Sequence, residues 1–369
     1  GASGDTITVP SGATITNSGT ATGFGITAAN FLPNAQPLII NGNMAVAQRA
    51  TSKASIGNEY GTCDRWYAYT QVGAFTQSQD TDVPSGYGFA NSLKMDCTTS
   101  ASPTSGQRNY IQQRFEGQNL QLLKKGTANA EIITLSFWVK SVKTGTYIIE
   151  VQDVDNSRQI SKSYTISSAS TWEKKTISFA GDTTGALGDD NGRSFDIAWY
   201  LSAGSDYTSG TLSTSWSSVT NANRAVGQVN LADSTSNNWW LTAVQMEVGE
   251  YTSATIPPFQ HESFGDNLER CQRYFYKTTD MGTAVGTAEM GNLTNSSVEC
   301  SWSIPTTMRT EGTVTIHDST GTTNKVNYYS GGWQTGGSVN AANKQGESTL
   351  HVNSANASWN ANLYVDCEL

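Results

Sequence analysis

Charged side chains are scarce in this sequence of 369 residues. Asp, Glu, Lys and Arg make up 14% of it, against about 25% in an ordinary soluble domain. The mean hydropathy is nevertheless -0.40, so the polarity comes from Ser, Thr, Asn, Gln and Gly. These residues compete with helical hydrogen bonds and are common in turns and on solvated sheet faces. The composition therefore favours a β protein.

Runs of basic residues are also missing. The longest are the pairs Lys124-Lys125 and Lys174-Lys175, and the net charge is -9. A nucleic-acid-binding protein needs a basic surface to displace counterions from phosphates, so we expect no nucleic-acid partner. No apolar run approaches the roughly 18 residues that a membrane span requires, so we expect no membrane insertion.

Cysteine and histidine are few, with five and three residues. The cysteines are Cys63, Cys97, Cys271, Cys300 and Cys367. None forms a C-x-x-C pair and the number is odd, which favours buried reduced thiols over a disulfide framework or a zinc site. The histidines are not at metal-ligand spacing, and neither G-x-S-x-G nor a P-loop occurs. We therefore expect no cofactor and no nucleophilic catalysis.

Carboxylates could still act in pairs, because a glycosidase needs only two acids at a set separation. The candidates are Asp153 with Asp155, Asp189 with Asp190, and Glu150 or Glu247. Asp and Asn are also common turn residues, and this interpretation is favoured for both Asp pairs. Asp153 and Asp155 remain weak calcium candidates, since the Gly and the distant Glu of an EF-hand loop are missing.

Apolar and polar residues alternate through much of residues 34–262. The clearest examples lie at 135–139, 147–152 and 195–201, with Asp- and Gly-rich turns between such segments. Alternation of this kind is typical of antiparallel sheets covered on one face. No long segment with helical periodicity intervenes, so we predict two sheets packed face to face. Trp138, Trp199, Trp216, Trp239 and Trp240 lie mostly in these strands, which favours core packing.

One further strand, NWWLTAVQMEVGE at 238–250, places Gln245 and Glu247 on the same face. This face is either a site with Glu247 as an acid or part of a strand that closes the fold. Both interpretations are open at this point.

The two ends of the chain differ from this middle part. Residues 1–33 contain short β-branched runs between Ser/Gly turns, which indicates a fibre-shaft-like β segment that winds with copies of itself; a flexible linker is the alternative.

After Pro257-Pro258, Asp266 with Glu269 predicts a helical turn with Asp266 as its N-cap. Residues 263–369 then predict a small C-terminal β-sandwich, with strands near 298–304, 312–317, 325–330, 348–353 and 361–367.

A Gly-rich stretch in this last segment, YYSGGWQTGG at 328–337, indicates an exposed loop. Such a loop cannot bury its aromatic side chains well, so Tyr328, Tyr329 and Trp333 are candidate glycan-binding residues.

Several motifs occur together in a familiar order. They are RFEGQNL at 114–120, TLSFWVK at 134–140, WEKKT at 172–176, FAGDTT at 179–184, QVNL at 228–231, VQMEVG at 244–249 and CQRY at 271–274. On these motifs the chain resembles the tail-fibre and related virion structural proteins of bacteriophages, particularly marine ones, over roughly residues 34–280. The resemblance implies a jelly-roll module like carbohydrate-binding domains, in a homotrimeric appendage that meets the host surface. It also assigns Gln245 and Glu247 to the closing strand, with no catalytic role.

The combined expectation is an all-β tail-fibre protein that recognises a host-surface glycan during adsorption and is not an enzyme. Its expected partners are two further copies of itself, other virion proteins through its N-terminal side, and the host glycan. Its expected location is the phage tail appendage, after synthesis in the host cytoplasm. The alternatives are a polysaccharide depolymerase and a head-decorating or spacer protein without a receptor.

Overall fold

The structure is a computed structural model. It describes residues 37–277, 289–294, 297–317, 325–328, 332–335, 338–339, 347–352, 359–360 and 362–369, with side chains at 37–277, 304–315 and 364–369. The predicted shaft segment, residues 1–33, lies outside this part of the chain. In the described part, no helix is long and apolar enough to cross a bilayer.

Thirteen strands between residues 52 and 248 form two antiparallel sheets. In chain order they are β1 (Ser52–Lys53), β2 (Glu59–Tyr60), β3 (Tyr67–Thr70), β4 (Ala74–Asp80), β5 (Ser92–Thr99), β6 (Arg108–Glu116), β7 (Ile133–Ser141), β8 (Gly145–Asp153), β9 (Arg158–Ile166), β10 (Glu173–Phe179), β11 (Arg193–Ala203), β12 (Ser217–Ser218) and β13 (Asn238–Val248). The six-stranded sheet has the order β1-β4-β5-β13-β7-β10, and the seven-stranded sheet has the order β12-β9-β8-β11-β6-β3-β2. This jelly-roll sandwich confirms the predicted fold class.

Alternate residues of both sheets meet in one core. Phe137 of β7 packs edge-on against Trp199 of β11, with ring centroids 5.7 Å apart, and Trp66 lies 5.5 Å from Trp199. Trp199 and Trp239 are fully buried, as predicted for strand tryptophans. The four cysteines with described side chains, all but Cys300, are buried free thiols.

In the seven-stranded sheet the outer face is covered as well as the core face. The prediction that only one face is covered is therefore wrong for this sheet. The chain between β11 and β13 covers the outer face, and we call this part the covering segment. It contains the short helix α1 (Ser205–Thr208) and two 3₁₀ turns, Asn221–Asn223 and Leu231–Asp233. Two more 3₁₀ turns, Gly117–Asn119 and Gln121–Leu123, follow β6. Ala198 and Tyr200, on the more polar face of β11, are buried under this segment.

A second helix, α2 (Phe264–Gln272), follows the sandwich. Its N-cap is Ser263, so the prediction of Asp266 as N-cap is wrong. The Ser263 hydroxyl accepts a hydrogen bond from the Asp266 backbone N–H at 3.1 Å and donates one to the Asp266 carboxylate at 2.7 Å. Asp266 therefore occupies position N3 of the helix, three residues after the N-cap, rather than the N-cap itself.

Ten strands follow α2 in the described residues. They are β14 (Phe275–Lys277), β15 (Glu289–Thr294), β16 (Ser297–Ser303), β17 (Thr313–His317), β18 (Lys325–Tyr328), β19 (Gly332–Thr335), β20 (Ser338–Val339), β21 (Glu347–Val352), β22 (Trp359–Asn360) and β23 (Asn362–Asp366). They form the sheets β14-β23-β17, β15-β16-β21-β20 and β19-β18-β22. All five strands predicted here are present; the boundary at 262/263 stays a prediction.

The last residues of the chain return to the sandwich. Glu368 forms an ion pair with Arg65, which is buried, and the Leu369 carbonyl accepts hydrogen bonds from Arg114 and from the Tyr60 hydroxyl. The C-terminal strands are therefore connected to the seven-stranded sheet by charged contacts as well as by chain continuity.

Candidate functional site

The three residues proposed for glycan contact are not in one loop. Tyr328 ends β18 and Trp333 lies in β19, where Tyr328 pairs with Gly332 and Asn327 pairs with Trp333. Tyr328 and Trp333 therefore lie in paired strands rather than in a loop. Tyr329 lies outside the described residues. A glycan-binding role for the three residues stays a prediction.

The calcium candidates Asp153 and Asp155 lie at a turn and are held by an ion pair and a hydrogen bond. Asp153 is buried and forms an ion pair with the Lys125 ammonium, which also lies 3.1 Å from Asp182. Asp155 accepts a hydrogen bond from the Gly188 N–H at 2.9 Å. Lys125 already supplies a cation between Asp153 and Asp182, which favours the structural-turn interpretation, and a calcium role for Asp153 and Asp155 stays a prediction.

The electrostatics of this turn agree with its geometry. Burial alone would raise the pKa of Asp182, but hydrogen bonds from Arg158 and Lys125 hold this pKa below its ordinary value. In the part of the chain that the structure describes, no group of three or more His, Cys, Asp or Glu residues is placed to hold a metal ion.

The other carboxylate candidates differ in their surroundings. Glu150 is buried and bonded by the Arg224 guanidinium through two contacts of 2.8 Å. Asp189 and Asp190 are exposed, and the Asp190 carboxylate accepts a hydrogen bond from the nearby Gly192 N–H at 2.7 Å. Glu247 is the remaining candidate.

A β-bulge in β13 determines where Glu247 lies. The register shifts between Thr242 and Gln245, and Ala243 adopts a positive φ of 54°. The Val244 N–H leaves the sheet ladder and donates to the Gly42 carbonyl at 2.9 Å. An extra residue changes the phase of the alternation. Gln245 and Glu247 therefore lie on the outer face with Trp240 and Thr242, while Val244 and Met246 join the core.

The outer face around Glu247 is covered by the chain that follows β13. Gln245 donates to the Pro257 carbonyl at 2.9 Å, and the Tyr251 N–H donates to the hydroxyl of Thr134, which pairs with Glu247. Glu247 is 8% exposed, and burial raises its pKa. These contacts agree with a closing strand.

Replacing Glu247 by glutamine should change how stability depends on pH. A folded-state pKa above the unfolded value means that ionising Glu247 costs stability. This cost is absent in acid and appears as the pH rises from the ordinary range of a glutamate through the raised pKa. Urea unfolding of Glu247→Gln between pH 4 and pH 8 should therefore show a growing advantage over the wild type. The exposed Glu250→Gln is the matched control; equal pH slopes for Glu247→Gln and the wild type would contradict this.

Four aromatic side chains cluster at the other end of the same outer surface. We call this surface the aromatic face; it consists of Tyr87, Trp138, Trp172 and Trp240 with Asp82 and Lys140. Tyr87 is 56% exposed, and its ring centroid lies 4.5 Å from that of the half-buried Trp138. The sequence favoured core packing for Trp138, but its neighbour Phe137 takes the core position. The strand alternation was the signal that could have placed Trp138 outside.

The loop that carries Tyr87 is held in place from both sides. Gly86 and Gly88 adopt positive φ angles of 84° and 78°, which a residue with a Cβ rarely adopts. The next aromatic residue, Phe89, packs against Phe259 at 5.2 Å, and the Asn91 carbonyl accepts a hydrogen bond from Thr242 at 2.7 Å. The exposed ring is thus presented by an ordered turn.

Charged groups fix the remaining rings of the aromatic face. The Lys140 ammonium lies 4.1 Å from the Trp240 ring centroid and 5.3 Å from that of Trp172, and it forms an ion pair with Asp82. The Trp172 indole donates to the Asp82 carboxylate at 3.0 Å. Burial opposes ionisation, but the bonds from Lys140 and Trp172 hold the pKa of Asp82 below its ordinary value. Asp82 is therefore a carboxylate at neutral pH.

One hydrogen-bond donor of the aromatic face has no acceptor. Trp240 is 8% exposed, and its indole N–H is buried without a hydrogen-bond acceptor. Flat rings beside a fixed carboxylate and ammonium are groups with which proteins bind polyhydroxylated ligands.

No protein-family model matches the sequence, and no curated protein matches it. Among solved structures, the chain is similar to the enzymatically active domain of tailspike protein 4 from bacteriophage CBA120, with 16% identity, a TM-score of 0.30 and coverage of 53% of this chain and 21% of that one.

Two further solved structures bind sugars according to their descriptions. The first is a putative sugar-binding protein from Bacteroides thetaiotaomicron, with 13% identity, a TM-score of 0.34 and coverage of 58% of this chain and 100% of that one. The second is a family 61 carbohydrate-binding module in complex with β-1,4-galactotriose, with 10% identity, a TM-score of 0.28 and coverage of 58% and 99%. At these scores the likenesses carry no argument about function.

Proposed function

We propose that this protein is a non-catalytic fibre component of a bacteriophage virion that binds a glycan on the host surface through its aromatic face. The observation that carries this proposal is the exposed Tyr87 ring packed on Trp138, beside the fixed Lys140–Asp82 pair. The motif resemblance to tail-fibre proteins supports the phage assignment.

Sugar recognition suits these groups for two reasons. The apolar face of a pyranose ring packs on flat aromatic rings, and its hydroxyl groups form hydrogen bonds with polar and charged groups beside them. The Asp82 side chain is 46% exposed, so its carboxylate can accept hydrogen bonds from ligand hydroxyls as well as from Lys140 and Trp172.

Binding without cleavage is the second part of the proposal. Glycoside hydrolysis needs two carboxyl groups about 5–9.5 Å apart, one on each side of the scissile bond. Glu150 and Asp153 are engaged by Arg224 and Lys125, and Glu247 lies beneath the chain that follows β13. These contacts support a binding protein over the alternative of a depolymerase.

The assembly is proposed from the resemblance alone. A homotrimer whose N-terminal side contacts other virion proteins would carry three copies of the aromatic face on one tail appendage. Weak sites joined on one body act at a high effective concentration, so such a fibre binds tightly even where each site is weak.

A glycan array with bacterial O-antigens and oligosaccharides tests the site. Tyr87→Ala should weaken binding about tenfold, equivalent to about 1.4 kcal/mol, because it removes an exposed ring. Tyr87→Phe keeps the ring and should bind like the wild type. Because Tyr87 is largely exposed, neither change should alter the melting temperature.

Two results would contradict the proposal. If Trp333→Ala abolishes binding and Tyr87→Ala does not, the site lies in the C-terminal strands instead of the aromatic face. If new reducing ends appear when the protein is incubated with a bound polysaccharide, the protein is an enzyme.

A further inference from the structure

A cleft lies between the sandwich and the C-terminal strands. Its volume is about 800 Å³, within the range of about 300–1,000 Å³ that is usual for ligand sites. Tyr60 of β2 and Tyr67 of β3 line one wall, and Phe275 of β14 and Tyr364 of β23 line the other. None of these residues belongs to the aromatic face.

The aromatic walls are held in fixed orientations. The rings of Tyr60 and Tyr67 meet edge to face at 5.1 Å, and those of Phe275 and Tyr364 do so at 5.8 Å. The Arg49 guanidinium joins the two walls, since it lies 3.7 Å from the Phe275 centroid and 5.4 Å from the Tyr60 centroid. A ligand can therefore enter without first ordering the rings, which lowers the entropic cost of binding.

The charges that line the cleft exclude anionic ligands. Two cations, Arg49 and Lys53, are outnumbered by three acids, Glu59, Asp366 and Glu368. Both cations are already in ion pairs: Arg49 lies 2.9 Å from Asp366 and 3.3 Å from Glu368, and Lys53 lies 3.6 Å from Glu59. Glu368 is also paired with the buried Arg65, so each of the three acids has a cationic partner, and a phosphate or a uronic acid would meet no unpaired cation among these lining residues.

The same charges suit a neutral polyhydroxylated ligand. The side chains of Glu59 and Asp366 are 42% and 46% exposed, so their oxygens can accept hydrogen bonds from hydroxyl groups. Hydrogen bonds to ionised acceptors are the stronger ones. The aromatic walls provide flat apolar surfaces for sugar rings.

From this combination we infer that the cleft is a second glycan-binding site, specific for neutral oligosaccharides. The site goes beyond the proposed function, because no group of the aromatic face contributes to it. Each chain then carries two glycan sites, and the second depends on the docked C-terminal residues Asp366 and Glu368.

Two variants and two matched controls test this inference on an array of neutral gluco- and galacto-oligosaccharides with uronic-acid oligosaccharides alongside. Tyr67→Leu removes a flat ring, and Tyr67→Phe keeps it. Thr313→Arg places a long side chain at an exposed position of the lining, and Thr214→Arg does the same at an exposed threonine outside it. We expect Tyr67→Leu and Thr313→Arg to weaken binding at least tenfold on a subset of neutral glycans, with the controls unchanged.

The outcomes separate this inference from the proposed function. It is overturned if the wild type binds no neutral glycan, if Tyr67→Leu and Thr313→Arg stay within twofold of the wild type throughout, or if the cleft variants lose only acidic glycans. Thr313→Arg decides the matter if Tyr67→Leu fails to fold. A wild-type result for Tyr87→Ala with losses for both cleft variants would refute the aromatic face and retain the cleft.

Discussion

Arg224→Met is expected to lower the free energy of unfolding by about 3–5 kcal/mol, because it leaves a buried carboxylate without its partner. Arg224 donates to both oxygens of Glu150 at 2.8 Å, and Tyr200 donates to one of them at 3.1 Å. Arg224 also helps to hold the segment that covers the seven-stranded sheet, since its carbonyl accepts a hydrogen bond from the Ser161 hydroxyl at 2.9 Å.

Urea unfolding of a double-mutant cycle measures this effect. The double variant Arg224→Met with Glu150→Leu should be less destabilised than the sum of the single variants, because it leaves no unpaired charge. Additive single effects, or a loss below about 1 kcal/mol for Arg224→Met, would show that the buried pair of Arg224 and Glu150 does not stabilise the fold.

Glu368→Gln should have an effect of similar size, about 3–5 kcal/mol. The side chains of Arg65 and Glu368 are 1% and 5% exposed, and they form an ion pair across the contact between the sandwich and the C-terminal residues. Glutamine has nearly the same shape but leaves the Arg65 charge buried without a counter-charge. The loss should therefore exceed that of the lost hydrogen bond alone.

The matched control lies two residues earlier. Asp366 pairs with Arg49 at 2.9 Å, but its side chain is 46% exposed, and exposed pairs contribute about 0–1 kcal/mol. Chemical denaturation of Glu368→Gln and Asp366→Asn should thus give clearly different midpoints. Equal midpoints would mean that the buried pair with Arg65 does not stabilise the fold.

Much of the architecture could be predicted from local patterns. Alternation in β7 and β11 identified strands and their core faces, and tryptophans such as Trp199 and Trp239 are buried as predicted. The five predicted strands after residue 297 are also present. These features depend on neighbouring residues, whose side chains alternate between the two faces of a strand.

The N-cap of α2 shows the limit of such patterns. Asp266 and Glu269 fit a capping box, but Ser263 and Asp266 fit one as well. The choice depends on where the chain leaves the preceding segment, which a short motif does not contain.

The sequence by itself determined that this chain forms antiparallel sheets, that its charged residues are few, and that tryptophan and tyrosine are abundant in its strands. Only the tertiary structure decided which acids are engaged and which rings are exposed. Glu150 and Arg224 are 74 residues apart in sequence, and Arg65 and Glu368 are 303 apart. The bulge at Ala243 reverses the phase of β13, and the turn at Gly86 brings Tyr87 onto Trp138. The physical reason is that strand periodicity is local, whereas ion pairing, covering and register depend on partners that the chain brings together only on folding.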